Sequence, residues 1–360
     1  AAGDFRTFRN TEVIQGTNTS RIGEPTASND RNAILYVGNW HAATSFDNGA
    51  TWKYINPYAN GFPAPAAGGL FCCDQLSVFD NETGRMFWLQ QYWQDASNEN
   101  TIRLVVYENK GALETQTYCV YDYTPQTFGV AAGARFDFNQ MQVTGKWLYL
   151  SSNLYGTGDG GVVWRLEKDD FSSSCGGVTT QHYLNEDYYG VALTDQTSDT
   201  GSTIYWAVHD GTGNDSLEIG RATDNSLSIS RFTRAISTFP ASNRGDSVCT
   251  APDGTNPCWR FNSRIKTGWL SNGQVGFMWH VGQDAAAGWP FPHTRVAIFR
   301  TSDLQLVAEP HIWNSNYAWV MPTVGVNNRG HIAGPVYVMG GPYYPTAQAF
   351  IWDSYSSVPA

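Results

Sequence analysis

A short run of aromatic and β-branched residues recurs along this chain and constrains its fold more than any other feature. Helical periodicity is almost missing between the copies, and turn residues separate them. Another strand-like segment precedes each copy, and two more follow it in the first five repeats. The copies are spaced 53 to 71 residues apart and begin at Asn32, Arg85, Lys146, Thr203, Gln274 and His331.

Repeats of this length that each carry several strands are typical of the blades of a β-propeller. We therefore predict an all-β fold, with one propeller domain over residues 1–360 and six blades of four antiparallel strands. Seven blades are the alternative if a long connection contains a degenerate blade. The last repeat ends before an outer strand, so we expect the N-terminal segment FRTFRNTEVI, residues 5–14, to supply that strand and close the ring.

Composition and charge limit the partners. Charged residues make up 15% of the chain and aromatic residues 14%, and 36 glycines supply many tight turns. A net charge of −10 argues against nucleic acid, because that ligand requires clustered lysine and arginine. No apolar run approaches the ~18 residues of a membrane span. We expect a monomer whose signal peptide has been removed, since the opening AAGDF lacks a leader pattern.

The six cysteines permit three disulfides, which predict a secreted, extracellular protein. Cys249 and Cys258 bracket a loop rich in proline, glycine and asparagine that a disulfide would close. Cys72 and Cys73 are adjacent in the stretch FCCDQL, so a bond between them would stiffen the backbone that carries Asp74 and Gln75. Cys119 would then pair with Cys175. The alternative is long-range pairing of Cys72 or Cys73, with one thiol left free.

Three N-x-S/T sequons predict sites of N-glycosylation in a secreted protein. They lie at Asn18, Asn81 and Asn214.

The segment SFDNGATW, residues 45–52, matches the pattern S-x-D-x-G-x-T-W of an Asp-box hairpin. It resembles the Asp boxes of sialidase-type propellers and related secreted proteins that act on glycans. In such a hairpin Asp47 caps turn amides, Gly49 takes a positive φ and Trp52 packs between blade sheets, so Asp47 and Trp52 are expected to be structural. In organisation the chain is also similar to propeller lyases and exo-glycosidases that act on rhamnose–glucuronate or ulvan-type polysaccharides.

In a propeller, the loops between second and third strands and the segments leading into each inner strand open on one face, where ligands bind. Tryptophan offers a flat face to a sugar ring, and polar side chains bond its hydroxyl and carboxylate groups. From these positions we predict a substrate-binding set: Trp40, Gln75, Asp137, Asn139, Asp210, Trp279, His293, Arg295 and Trp319.

The resemblance implies a carbohydrate, expected to be acidic, and two cleavage chemistries. β-Elimination at a uronic acid needs a base, an acid and a cation beside the carboxylate. Hydrolysis normally needs two carboxylates ~5–9 Å apart. The predicted bases are His41, His209 and His280, the acid is Tyr189, the cation is Arg260 or Arg264, and for hydrolysis the carboxylate is Asp74.

Other readings stay open. A propeller lectin that binds glycans without cleaving them is the main alternative, although the predicted loop residues differ from blade to blade, as one asymmetric catalytic site would require. A redox enzyme with a quinone on the adjacent-cysteine disulfide is a third reading. A sialidase is disfavoured, because only Arg21, Arg264 and Arg295 could form its arginine triad. The sequence requires no cofactor, and structural Ca²⁺ is an option without a dedicated ligand run.

Overall fold

A computed structural model describes residues 13–18, 24–59, 61–185, 187–196, 201–209, 214–240, 247–260, 262–327 and 329–353. The chain divides into two compact units, Ala1–Thr124 and Pro125–Ala360. Such units also occur inside single domains, so one domain over the whole chain stays a prediction. No helix among the described residues has the length and apolar character needed to cross a bilayer.

The first unit contains two four-stranded antiparallel sheets, each formed by consecutive strands in chain order. Their apolar side chains meet in one core that includes Leu35, Trp88 and Tyr107. The first sheet comprises β1 (Thr26–Asp30), β2 (Ala33–Gly38), β3 (His41–Ser45) and β4 (Lys53–Ile55), and the second comprises β5 (Phe71–Asp80), β6 (Arg85–Tyr92), β7 (Ile102–Tyr107) and β8 (Cys119–Tyr123).

An α-helix, α1 (Lys110–Thr115), lies between β7 and β8 and was not predicted. Its N-cap is Asn109, whose side chain accepts a hydrogen bond from the amide of Ala112. Its C-cap is Gln116, with φ of 55°. The helix has six residues, which is too short to leave a clear 3.6-residue pattern in the sequence.

Two tight turns lie at opposite ends of the first sheet, and each contains a non-glycine residue whose backbone is in the left-handed region of φ/ψ space. In the β1–β2 turn, which follows the Asp30–Ala33 pair, Arg31 has φ of 53°. In the β2–β3 turn, between Gly38 and His41, Trp40 has φ of 70°. Glycine adopts this conformation at lower cost than any residue with a β-carbon.

The hairpin between β3 and β4 has the hydrogen bonds expected from its sequence. Asp47 accepts the amide of Thr51 at 2.8 Å and the hydroxyl of the same residue at 2.6 Å. The amide of Gly49, which has φ of 82°, donates to Ser45 Oγ at 2.8 Å. Trp52 donates its indole N–H to the carbonyl of Gly49 at 3.0 Å. Asp47 therefore caps the turn, and these residues support the hairpin rather than a ligand site.

The second unit contains three groups of strands. The first is a four-stranded sheet, and the second is a nine-stranded sheet in which the first strands of two antiparallel meanders pair in parallel through Thr194, Asp195 and Gln196. The four-stranded sheet comprises β9 (Ala134–Val143), β10 (Trp147–Gly156), β11 (Gly160–Glu167) and β12 (Thr180–Asn185). The first meander of the nine-stranded sheet comprises β13 (Ala192–Gln196), β14 (Thr203–His209), β15 (Ser216–Thr223) and β16 (Ser226–Ala235). The second comprises β17 (Ile265–Ser271), β18 (Gln274–Val281), β19 (His293–Arg300), β20 (Leu306–Ala308) and β21 (His311–Ile312).

The last sheet has an interrupted first strand. The short strands β22 (Ala318–Val320) and β23 (Gly325–Val326) both pair with β24 (Ile332–Gly340), which also pairs with β25 (Tyr343–Trp352). The interruption follows Met321, with φ of 56°, and Pro322, which has no amide proton for a ladder. Of the segment predicted to close the ring, residues 5–12 lie outside the described residues and residues 13–14 are not in a strand.

Short 3₁₀ helices interrupt several of the connections in both units. They span Gly16–Asn18, Pro125–Phe128, Lys168–Asp170, Ser247–Cys249, Pro257–Arg260 and Ala285–Ala287.

Two glycines in the second unit allow tryptophan rings to lie flat across neighbouring strands. Gly220 faces Trp206 across the β14–β15 ladder, and Gly276 faces Trp269 across the β17–β18 ladder. A β-carbon at either glycine would overlap the indole ring of its partner. These glycines are therefore required by close packing inside strands.

The predicted disulfides Cys72–Cys73 and Cys249–Cys258 are confirmed. Cys119 and Cys175 are disulfide-bonded as well, and none of the six cysteines is free. The Cys72–Cys73 bond lies at the start of β5, and Asp74 directly after it has φ of 48°. The disulfide thus adjoins a left-handed residue in the middle of a strand.

A buried guanidinium stabilises the first unit. Arg103, on β7, forms two hydrogen bonds with the carboxylate of Asp122 at 2.6 and 2.7 Å. It also donates to the carbonyls of Pro63 and Ala64 at 2.7 and 3.0 Å, and to the hydroxyl of Tyr92 at 2.8 Å. Its side chain has no solvent exposure. One arginine therefore connects two strands with the segment before β5.

Candidate functional site

Five side chains of the second unit form a group that we call the Arg264 cluster. Tyr189 and Arg264 lie in the segments that lead into β13 and β17, whose parallel pairing brings the two segments to the same edge. Tyr155 lies near the end of β10, where that strand approaches the same region. The cluster consists of Phe138, Tyr155, Tyr189, Arg264 and Lys266, all partly exposed.

The guanidinium of Arg264 is fixed by a phenol and a glycine. Its Nη2 atom donates to the hydroxyl of Tyr155 at 2.8 Å, and Asn153 Nδ2 lies 3.2 Å from the same oxygen. A β-carbon at Gly190 would lie only 3.0 to 3.2 Å from Cδ, Cγ and Cβ of Arg264. Gly190, with φ of 69°, donates its amide to Asn153 Oδ1 at 2.7 Å. The position of Arg264 thus depends on a glycine at residue 190.

Tyr189 lies next to Tyr155, with ring centroids 5.8 Å apart. Burial raises the pKa of Tyr189, and the charge of Asp159 and the neighbouring Tyr155 raise it further, while Arg264 opposes the shift. The phenol therefore keeps its proton at neutral pH and can donate it to a leaving oxygen.

Phe138 brings two cations together. The Arg264 guanidinium lies 5.5 Å from its ring centroid and the Lys266 ammonium 5.1 Å from it. Phe138 has φ of 58° and lies in β9 at an irregularity of the β9–β10 register. A third cation, Arg135, lies 5.4 Å from the ring of Tyr155. Cations and aromatic faces at one place suit an anionic ligand with an apolar side, although the whole chain is acidic.

Two histidines predicted as bases are engaged in the interior instead. His209 Nε2 lies 2.6 Å from the carbonyl oxygen of Ser263, and His280 is fully buried in β18. The pKa of His280 is well below its usual range, mainly because of burial and also because of Lys266. Since His209 bonds the segment before β17, we assign it a positioning role, and the burial of His280 argues against its predicted role as a base.

Other residues predicted for ligand contact in the second unit are engaged in packing. Trp279 is fully buried in the core between β14, β15 and β18, and Arg295 is buried with Glu309 at 2.7 Å. His293 is buried with its Nε2 2.9 Å from His311 Nδ1. Predicted as loop residues, they lie inside β18 and β19, because the loop boundaries inferred from sequence were displaced by several positions.

Three further predicted residues lie closer to the Arg264 cluster or to solvent. The carboxylate of Asp137 accepts a hydrogen bond from the amide of Phe138 at 3.0 Å. Asn139, which follows Phe138 in the chain, is buried. Trp319 is partly exposed and stacks on Tyr317. Asp210 and the side chain of Arg260 lie outside the described part of the chain.

In the first unit, the side chain of Asn39 connects the β2–β3 turn with Glu24 and with Asp74, a residue predicted to act in hydrolysis. Its Nδ2 donates to Glu24 at 2.8 Å, and its Oδ1 accepts the amide of Asp74 at 2.8 Å. The Gln75 amide group is buried and donates to the carbonyls of Gly38 and His41, and its oxygen accepts the indole N–H of Trp88. Gln75 is therefore a structural residue, and its predicted contact with substrate is withdrawn.

His41 is buried at the start of β3, with Nδ1 2.9 Å from the carbonyl oxygen of Asn39. Burial lowers the pKa of this imidazole. Its ring packs beside Tyr36, and its predicted role as a base is likewise withdrawn.

Sequence reasoning missed Phe138, Lys266 and Arg135. Lys266 is two residues after Arg264, so strand periodicity could have placed both on one face. Nothing in the sequence indicated the left-handed backbone of Phe138. Within the described residues, no three histidine, cysteine, aspartate or glutamate side chains group as a metal site requires, so calcium stays a suggestion.

Comparison with known proteins shows the fold and no family. No family model and no curated protein matches the chain. An α-L-arabinofuranosidase from Fusarium graminearum has a similar structure, with a TM-score of 0.52 and 10% sequence identity, over 91% of this chain and 92% of that one. AofleA from Arthrobotrys oligospora has a TM-score of 0.52 and 11% identity, over 92% of this chain and 84% of that one. A subtype N10 neuraminidase-like protein from a little yellow-shouldered bat isolate has a TM-score of 0.50 and 9% identity, over 92% of this chain and 94% of that one. The chain is an all-β β-propeller.

Proposed function

We propose that this protein is a carbohydrate-active enzyme that binds an anionic sugar at the Arg264 cluster and cleaves its linkage by β-elimination. The observation that carries the proposal is the contact between the guanidinium of Arg264 and the hydroxyl of Tyr155, with the proton-bearing Tyr189 beside them. A solved α-L-arabinofuranosidase with a similar fold supports carbohydrate as the ligand class.

In this scheme Arg264 pairs with the carboxylate of a uronic acid, assisted by the charge of Lys266. The carboxylate then accepts the negative charge that develops as the α-proton is removed. Tyr155 reacts as the phenolate, so the proton passes to its oxygen and gives the neutral phenol, and the electron pair of the C–H bond becomes a carbon–carbon double bond. The glycosidic C–O bond breaks, and Tyr189 donates its proton to the leaving oxygen and becomes a phenolate. Solvent then returns a proton to Tyr189 and removes one from Tyr155, which restores the starting state.

Tyr155 is the acceptor because Arg264 and Asn153 already direct hydrogen bonds to its oxygen. Donors placed there stabilise negative charge on a phenol. The imidazoles of His41 and His209 bond backbone carbonyls instead, and His280 is fully buried.

The remaining proposals concern the whole chain. Support for six blades comes from the strand groups, since the nine-stranded sheet consists of two joined meanders and the other four sheets have four strands each. The Ser45–Asp47–Thr51 hydrogen bonds support an Asp-box hairpin. The disulfides support secretion, and with it the glycosylation of Asn18, Asn81 and Asn214. We propose a monomer.

The test uses gum arabic, ulvan and glucuronan with the wild-type protein, Arg264→Lys, Arg264→Ala and the surface control Arg300→Ala. Product is followed by the ultraviolet absorbance of an unsaturated uronic acid, with reducing ends counted in parallel. We expect absorbance with wild type and Arg300→Ala, and a loss of at least ~100-fold in kcat/KM for Arg264→Ala. New reducing ends without absorbance would replace elimination by hydrolysis, and binding without either product would favour a lectin.

A further inference from the structure

Trp40 has a side chain that the fold does not explain. It occupies the second position of the β2–β3 turn with φ of 70°, where glycine is favoured. The residue is 40% exposed. Among the described residues, no ring contact or side-chain hydrogen bond involves it. A large, partly exposed apolar side chain in a backbone conformation that disfavours side chains indicates a role in binding rather than in folding.

The polar groups beside this turn are oxygen acceptors. Asn39, the other residue of the turn, is buried and bonds both the carboxylate of Glu24 and the backbone of Asp74. Glu24 is exposed, and the Asp74 side chain is partly exposed after the Cys72–Cys73 disulfide. Asp74 also has a left-handed backbone, with φ of 48°. Two residues with unfavourable backbone angles are thus connected through one buried amide.

A second exposed tryptophan lies at the same edge of the first unit. Trp93 follows β6 and is 50% exposed. Its amide donates to the carbonyl of Leu70 at 2.9 Å, and its own carbonyl accepts the amide of Gly69 at 2.7 Å. β5 begins and β6 ends at this edge, where the β2–β3 turn also lies, since Asn39 of that turn bonds the amide of Asp74.

We propose that Trp40, with Asn39, Glu24 and Asp74, forms a binding subsite for a neutral sugar. The indole face would cover the C–H face of the ring, and the carboxylates would accept its hydroxyl groups. A uronic acid is disfavoured here, because Glu24 and Asp74 would repel its carboxylate. The inference goes beyond elimination at Arg264 and rests on the proposed function only for the carbohydrate class.

The test compares Trp40→Gly with Arg31→Gly. Arg31→Gly is a matched control, because it places glycine at the other residue of the same sheet that has a positive φ in a tight turn. The probes are neutral oligosaccharides of galactose, arabinose, glucose and rhamnose, on an array and then in fluorescence titration. Arg31→Gly should unfold at a higher temperature than wild type, because Arg31 is exposed and glycine fits φ above zero. Trp40→Gly should weaken binding at least tenfold, Trp40→Phe should retain part of it, and Arg31→Gly should bind like wild type.

The subsite is refuted if Trp40→Gly binds as tightly as wild type, or if wild type binds no neutral oligosaccharide of the panel. Arg264→Ala separates this inference from the proposed function. We expect that variant to bind neutral sugars normally while it loses turnover of acidic polysaccharides. Neutral binding by a wild-type protein that cleaves nothing would overturn elimination and leave the subsite intact.

Discussion

The Nη2 atom of Arg264 lies 2.8 Å from the hydroxyl of Tyr155, although 109 positions separate the two residues in the chain. The contact joins the end of β10 to the segment before β17 and leaves the face of the guanidinium beside Phe138. A cation held by an aromatic residue and a phenol is already oriented when a carboxylate arrives, so little ordering remains for binding to complete.

Tyr189→Phe should lower kcat by at least ~100-fold with little change in KM, because the variant lacks the proton for the leaving oxygen and keeps the ring. Initial rates on the best acidic polysaccharide measure both constants. The control Tyr344→Phe alters an exposed phenol and should leave both unchanged. Unaltered kcat in Tyr189→Phe would remove Tyr189 from the reaction.

His209→Leu should raise KM for the acidic substrate, since the ring that bonds the Ser263 carbonyl at 2.6 Å keeps Arg264 in place. His209→Gln can donate an amide hydrogen to the same carbonyl and should recover most of the affinity. Initial rates at several substrate concentrations give KM for both variants and show whether glutamine replaces the histidine. If glutamine were no better than leucine, the histidine would act by packing against Phe239 and Trp279 instead.

Asp195 should make the protein less stable as pH rises. Its Oδ2 atom accepts a hydrogen bond from the amide of Val326 at 3.1 Å. Burial raises the pKa of this carboxyl from 3.8 to about 7, although hydrogen bonds from the backbone act to lower that pKa. The carboxylate keeps some solvent contact, but surrounding protein removes most of its hydration. The folded state therefore holds a proton that the unfolded chain releases, and stability falls between about pH 4 and about pH 7.

Asp195→Asn mimics the protonated carboxyl and keeps an acceptor for Val326. Urea unfolding at several pH values should show a flatter profile for this variant across that interval. A profile with the same slope as wild type would mean that Asp195 titrates normally.

The paired imidazoles of His293 and His311 should destabilise the protein in acid. Burial, the largest cause, and nearby Arg295 lower the pKa of each ring from 6.5 to about 4. His311 also lowers the pKa of His293, whose Nε2 lies 2.9 Å from His311 Nδ1. The unfolded chain binds protons that the folded state does not, so stability is lost as pH falls from about 6.5 to about 4.

His311→Asn keeps an amide that can bond His293 and removes one titrating group. Thermal unfolding of this variant should depend less on pH in that interval than unfolding of wild type. An unchanged dependence would assign the acid transition to other groups.

Arg103→Met should destabilise the protein by about 3–5 kcal/mol, because it leaves Asp122 without its partner inside the first unit. Denaturant titration measures the loss. The control Arg300→Ala breaks an ion pair that is largely exposed and should have a much smaller effect. A small loss in Arg103→Met would mean that solvent readily reaches Asp122.

Strand order was predictable from sequence because the 50–70-residue repeat and the aromatic runs are local features. The second strand of each repeat lies where its run predicts, from β2 at Ala33 to β24 at Ile332. The interruption at Met321 and Pro322 and the parallel pairing of β13 with β17 were not predicted, since both depend on contacts between distant segments.

The candidate site was only partly predictable. Tyr189 and Arg264 were both predicted as site residues, Tyr189 as the acid and Arg264, or Arg260, as the cation beside the carboxylate. Trp279 and Arg295 were misplaced because the loop boundaries inferred from sequence were displaced by several positions, and both residues lie inside strands. Phe138 could not be found, because a left-handed phenylalanine has no sequence signature.

The parallel pairing of Thr194, Asp195 and Gln196 with residues of β17 merges the inner ladders of two meanders. The amides that bridge the two strands lose their partners together when this ladder opens, whichever strand moves. Hydrogen exchange should therefore report one cooperative opening for residues 194–196 and 268–270. We expect local opening at this place to involve two repeats at once.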